Sequence, residues 1–158
     1  MLFKLPLQTF IQIYLLMYLY RRLTMILRTD DGKRIIDIGT SDLWFCFYST
    51  VAIRLSNIKS RIPDALEFMK NQKCVYSKCL ETARQFNLIR DELSCHPVSD
   101  IVYNMNDPNQ KAPWEGRISN VITSCGNFFT TADGKDLIFE LTALLCYSAY
   151  SQSIIICE

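Results

Sequence analysis

Apolar positions fall along the chain in blocks of different period. Ile26-Leu27-Arg28 and Arg34-Ile-Ile-Asp-Ile38 flank Thr29-Asp-Asp-Gly-Lys33. Asp31-Gly32 is a strong short-loop signal because glycine accepts φ > 0 there, so residues 25–38 predict a β-hairpin. Gly39-Thr-Ser-Asp42 breaks the strand, and Thr40 or Ser41 can cap a helix whose positive end Asp42 favours. That helix is predicted over residues 42–57. Trp44, Phe47, Tyr48, Val51 and Leu55 share one stripe, which Phe45, Cys46, Ala52 and Ile53 widen. A helix so apolar is largely buried, and its aromatics read as core packing before they read as a cofactor pocket. Pro63 suits the first turn of a short helix over residues 64–71. A longer helix over 75–93 carries Leu80, Ala83, Phe86, Ile89 and Leu93 at three- and four-residue spacing, and His96-Pro97 stops it.

The second half is less regular. Ile101-Val102-Tyr103 favours a strand, and residues 117–129 have no clear period. Thr130-Thr-Ala-Asp-Gly-Lys-Asp136 reads as a turn and helix cap. Residues 137–150 form the most apolar helix, with Glu140 its only charge. Ser153-Ile-Ile-Ile-Cys157 is a closing strand whose continuous apolar run suits an inner position. The expected fold is α+β: a small, mostly antiparallel sheet of hairpin, closing strand and Ile101–Tyr103 segment, covered by three or four helices.

The 158 residues are 49% hydrophobic and 21% charged, as in ordinary globular proteins. A chain of this length can bury a core without metal or disulfide help. Residues 1–24 hold three of the 17 basic residues and none of the acids, leaving 14 basic against 16 acidic residues in the body, 25–158. No basic run interleaved with aromatics appears there, which argues against direct nucleic-acid binding. The seven cysteines are odd in number, and several sit in apolar runs. Such a set suggests a reducing compartment, and the body reads as cytoplasmic.

The apolar stretch 5–20 has three readings. It is shorter than a spanning helix and carries Gln8 and Gln12, although Arg21-Arg22 could mark a cytoplasmic edge. No small-residue cleavage site follows, against a signal peptide. Met25 opens directly into the hairpin, so residues 1–24 read as an extension upstream of the body, as a membrane-associated helix, or as a segment packed on the body.

Chemical sites are sparse. The one histidine, His96, adjoins Cys95, but sequence neighbours point apart and a nucleophile pair needs contact. Cys74 and Cys79 have no second close pair to complete a zinc site. Asp133-Gly134-Lys135-Asp136 lacks the glycines and hydroxyl of a phosphate loop, and Asp136 would repel phosphate. No metal, cofactor or catalytic set is expected. The loop Asp107-Pro-Asn-Gln-Lys-Ala-Pro-Trp-Glu-Gly116 places two prolines and a tryptophan beside both charge signs. It can be neither helix nor central strand, and loops of this kind carry binding residues.

Several segments are ordered as in one family. Ile36-Asp-Ile-Gly-Thr-Ser-Asp-Leu-Trp-Phe45 leads into the aromatic helix ending Ala52-Ile-Arg-Leu55. Ile89-Arg-Asp-Glu-Leu93, Pro97 and Ile101-Val-Tyr103 follow. Ala112-Pro-Trp-Glu-Gly116, Ile118-Ser119 and Phe129-Thr-Thr-Ala-Asp-Gly-Lys-Asp-Leu137 complete the set. Over about residues 26–157 the chain resembles immunity proteins of bacterial polymorphic-toxin and contact-dependent growth-inhibition systems. The resemblance implies a cytoplasmic α+β protein that binds and neutralises a cognate toxin domain, often a nuclease, without catalytic residues of its own. Asp107, Trp114 and Glu115 are the expected toxin-binding residues; the bland alternative makes Trp114 a core plug and Glu115 a turn cap. Two other readings stand beside it: a membrane-attached accessory protein anchored by residues 5–20, and a small enzyme using Cys95 or a carboxylate.

Overall fold

A computed structural model describes residues 24–158. The expectations for the apolar stretch 5–20 lie outside the described residues. Strands β1 (Thr24–Thr29) and β2 (Ile35–Thr40) form the hairpin. Helices α1 (Ser41–Arg54), α2 (Pro63–Asn71) and α3 (Tyr76–Leu93) follow. Irregular chain then leads to α4 (Leu137–Ser151) and strand β3 (Ile155–Cys157). The sheet is antiparallel throughout, with order β2-β1-β3. This is the expected α+β fold.

Local chemistry explains the element ends. Gly32 at φ 70° makes the hairpin turn, where the Thr29 hydroxyl donates to Asp31 at 2.5 Å. The same turn recurs at Thr131-Ala-Asp-Gly-Lys135: Gly134 has φ 81° and the Thr131 hydroxyl donates to Asp133 at 2.5 Å. Asp136 then caps α4 by accepting the Phe139 N–H at 2.8 Å. The Ala132 N–H donates to the Asp37 carbonyl at 2.9 Å, so this second turn covers part of the outer edge of β2. Thr40 caps α1, accepting from the Leu43 N–H at 3.3 Å. The helix ends at Arg54, before the expected residue 57, and a 3₁₀ turn over Ser56–Arg61 continues the chain to Pro63. Ser and Asn there compete for the backbone and favour turns over helix.

The core lies between the sheet and α1, α3 and α4. Phe47 is its centre, with ring centroids 4.8 Å from Phe129 and 6.3 Å from Phe86. Trp44 packs edge-on to Phe47 and Phe68, and its buried indole N–H donates to the Met69 carbonyl at 2.9 Å. The aromatic stripe of α1 is therefore core, as its periodicity predicts. Truncating any of these fully buried phenylalanines to alanine costs about 3–5 kcal/mol.

Three expectations need correction. Ile101–Tyr103 is not a strand; among the described residues the sheet has three strands, and the place of Ile101–Tyr103 is described below. Among the described residues strand β3 is not inner: β1 is central, and the far side of β3 meets Cys74, which exchanges both backbone hydrogen bonds with Ile155 at 2.9 and 3.1 Å. Burial of Ile155 by that connection, not by a further strand, explains the apolar run. Leu80 is 64% exposed, because α3 turns Cys79, Ala83 and Phe86 inward and leaves Leu80 outside that stripe.

Candidate functional site: an aromatic groove

The segment 100–105 runs along α1 and is held by that helix's polar side chains. The Val102 N–H donates to the Thr50 hydroxyl at 3.0 Å, and the Met105 N–H donates to Ser49 at 3.2 Å. Arg54 Nε donates to the Asp100 carbonyl at 2.7 Å. Extended backbone thus finds its partners without a neighbouring strand, which is why a β-prone sequence here forms no sheet. Ser49 and Thr50 are buried on an otherwise apolar face. Two adjacent hydroxyls on that face are the sequence signal of a segment packed there.

The chain then turns through loop 107–116. Asn104 Oδ1 accepts the Asn106 N–H at 2.9 Å, and Asn104 Nδ2 donates to Gln110 Oε1 at 2.6 Å. The Asp107 carboxylate accepts the Asn109 N–H at 3.2 Å, and its carbonyl accepts the Gln110 N–H at 3.0 Å. Two further turns place Trp114: the Glu115 N–H reaches the Ala112 carbonyl, and the Arg117 N–H reaches the Trp114 carbonyl, with Gly116 at φ 76° between them.

Trp114 is half-buried. Its ring meets Tyr103 edge-on at 5.4 Å and Phe128 at 6.2 Å. Phe128 in turn packs on Phe129 at 5.0 Å, and Phe129 on Phe47. A continuous file of rings therefore runs from the loop to the centre of the core. The solvent side of this file is a groove of about 740 Å³, walled by Ile53, Ile101, Tyr103, Trp114, Ile118 and Phe128. Ile53 and Ile118 remain 44% and 40% exposed. Partly exposed apolar side chains gathered at one concavity mark interaction surfaces.

Charges sit on the rim. Glu115 pairs with Lys111 at 3.5 Å, and both side chains are mostly exposed. Such a pair contributes little to stability and can exchange partners at little cost. Glu115 does not cap a turn with its carboxylate; only its backbone N–H serves the turn. The three residues expected at the site are thus divided: Trp114 and Glu115 line the groove, and Asp107 is exposed in the same loop outside its walls.

The competing chemistry does not assemble. His96 Nδ1 lies 2.9 Å from the Asp100 carboxylate, whereas the Cys95 thiol turns to the Asp91 carbonyl at 3.7 Å. Among the described residues no third group completes a nucleophile with either, and His96 is not part of the groove wall. Among the described residues no three His, Cys, Asp or Glu side chains gather as a metal site. Asp133 and Lys135 are spent on each other, paired at 2.8 Å within the turn.

The groove combines apolar walls with exchangeable charges on its rim, and no catalytic set assembles in it among the described residues. The family model described as Immunity protein 70 matches residues 24–156, and the chain belongs to that family. Its general role is toxin neutralisation. No curated protein and no solved structure matches the chain. No helix among the described residues is long and apolar enough to cross a membrane.

Proposed function

We propose that the chain binds one cognate toxin domain in the cytoplasm and occludes its active site, with the groove face as the contact. The observation that carries this reading is the position of Trp114. It is anchored from within by Tyr103 and Phe128 and still presents part of its ring to solvent. An aromatic fixed in this way loses little side-chain entropy on binding, which is the character of an interface hot spot. Ile53 and Ile118 supply apolar surface around it. Asp107 and Glu115 supply negative charge on the same loop, suited to the cationic cleft of an enzyme that handles a polyanion; a nuclease is the toxin class this favours. Residues 25–158 carry the function in this reading.

The test is toxin binding by the Asp107→Lys/Glu115→Lys double variant. Both side chains are exposed, so the fold survives and circular dichroism is unchanged. Association with the toxin slows by about tenfold or more at low ionic strength, the difference shrinking as salt is added. Undiminished binding removes both carboxylates from the interface.

A further inference from the structure

Two of the cysteines touch. The Cys74 and Cys79 sulfurs lie 3.2 Å apart in the interior, close enough to share a thiol proton. Cys74 belongs to the link between α2 and α3 that pairs with Ile155 of β3, and Cys79 to the start of α3. Neither is in a disulfide. We propose that this pair is an oxidisable dithiol, which hydrogen peroxide converts to an internal Cys74–Cys79 disulfide.

Three further observations support it. Access comes first: Cys74 opens on a surface pocket of about 340 Å³, walled in part by Asp64, Phe68, Lys78 and Thr82, which admits a small peroxide. Cys79 lies behind it with no exposure, placed to attack Cys74 and shielded from the reagent itself. Alignment comes second. The Cys79 sulfur lies within hydrogen-bonding distance of the Cys74 sulfur at 3.2 Å and of the Val75 carbonyl and the Ser148 hydroxyl at 3.3 Å each, so it is held in place facing Cys74. Third is selectivity. Cys46 and Cys125 have no exposure, and neither lines the pocket that opens on Cys74.

The reaction balances without another partner. A Cys74 sulfur–oxygen bond forms as the peroxide O–O bond breaks. Cys79 sulfur then attacks Cys74 sulfur, the S–S bond forms and the S–O bond breaks. The two thiols lose two electrons to the peroxide, and both oxygens leave as water with the two thiol protons. The loop so closed is short, so the bond adds little chain entropy and the reduced protein folds without it.

The experiment is hydrogen peroxide treatment of the full chain carrying Cys95→Ser, Cys146→Ser and Cys157→Ser, which removes the exposed competitors. Alkylation and trypsin follow. Cleavage after Lys73, Lys78 and Arg84 puts the two cysteines on separate peptides, 74–78 and 79–84. The expected result is joint loss of both alkylatable thiols and recovery of the two peptides as one cross-linked species. Recovery of both peptides alkylated, or of Cys74 as sulfinic acid beside a free Cys79, overturns the proposal. In the Cys79→Ser variant, Cys74 is expected to stop at the sulfenic acid and to be captured by dimedone; no capture also overturns it. If the triple serine variant fails to fold, the same two peptides give the same readout in the unaltered chain.

Discussion

Replacing Trp114 by alanine separates a binding anchor from a core plug. In the free protein the indole makes two ring contacts, with Tyr103 at 5.4 Å and Phe128 at 6.2 Å. Aromatic pairs contribute about 0.5–1.5 kcal/mol each beyond area, so their loss costs about 1–3 kcal/mol. A fully buried tryptophan costs about 3–5 kcal/mol on truncation, and Trp114 is only half-buried. The expected loss of stability is therefore about 2 kcal/mol, seen as a lower urea midpoint with an unchanged slope. Binding adds a second effect. A central hot-spot side chain contributes at least about 2 kcal/mol, so toxin affinity falls by about 30-fold, mostly through faster dissociation. Trp114→Phe keeps a ring against Tyr103 and Phe128 and recovers most of the stability but less of the affinity. Surface-binding kinetics on folded variants read both quantities. A folded Trp114→Ala protein that holds toxin as tightly as the parent would refute the anchor and leave Trp114 as a plug for Phe128.

Thr50→Val removes the hydroxyl that accepts the Val102 N–H while keeping the side-chain shape. It is expected to cost about 1–3 kcal/mol in urea unfolding and to raise hydrogen exchange over residues 101–105; unchanged exchange would detach this segment from α1. Glu81 gives a pH signature. Hydrogen bonds from Arg84, then Gln85, hold its carboxyl down at about 2. A folded-state value below the unfolded value of 4.5 gives stability that is present above about pH 4.5 and is lost as pH falls toward 2. The Tm difference between the parent and Glu81→Gln should therefore narrow over that window, and a difference independent of pH would contradict the assignment.

How much was legible in the sequence varied with how local the cause was. The hairpin followed from Asp31-Gly32, and α4 from its apolar run and the Asp136 cap, because a turn and a cap are decided within a few residues. The aromatic stripe of α1 was legible as core for the same reason. What failed depended on contacts far apart in the chain. Ile101-Val102-Tyr103 has the composition of a strand, but its partners are Ser49, Thr50 and Arg54 on a helix about fifty residues earlier. The apolar closing run suggested an inner strand, whereas Cys74 supplies the cover that a further strand would have given. At the candidate site, composition pointed to the loop that walls part of the groove. It did not show that Phe128 links that loop to the core, nor that Trp114 and Glu115 line the groove while Asp107 lies outside its walls.

The most direct test of toxin neutralisation by occlusion is a titration of the cognate toxin's activity with the full chain, at toxin concentrations well above the dissociation constant. Stoichiometric occlusion predicts a linear fall in activity to zero at one molecule per toxin. Activity that levels off above zero with the toxin fully bound, or that is untouched by binding, would contradict it.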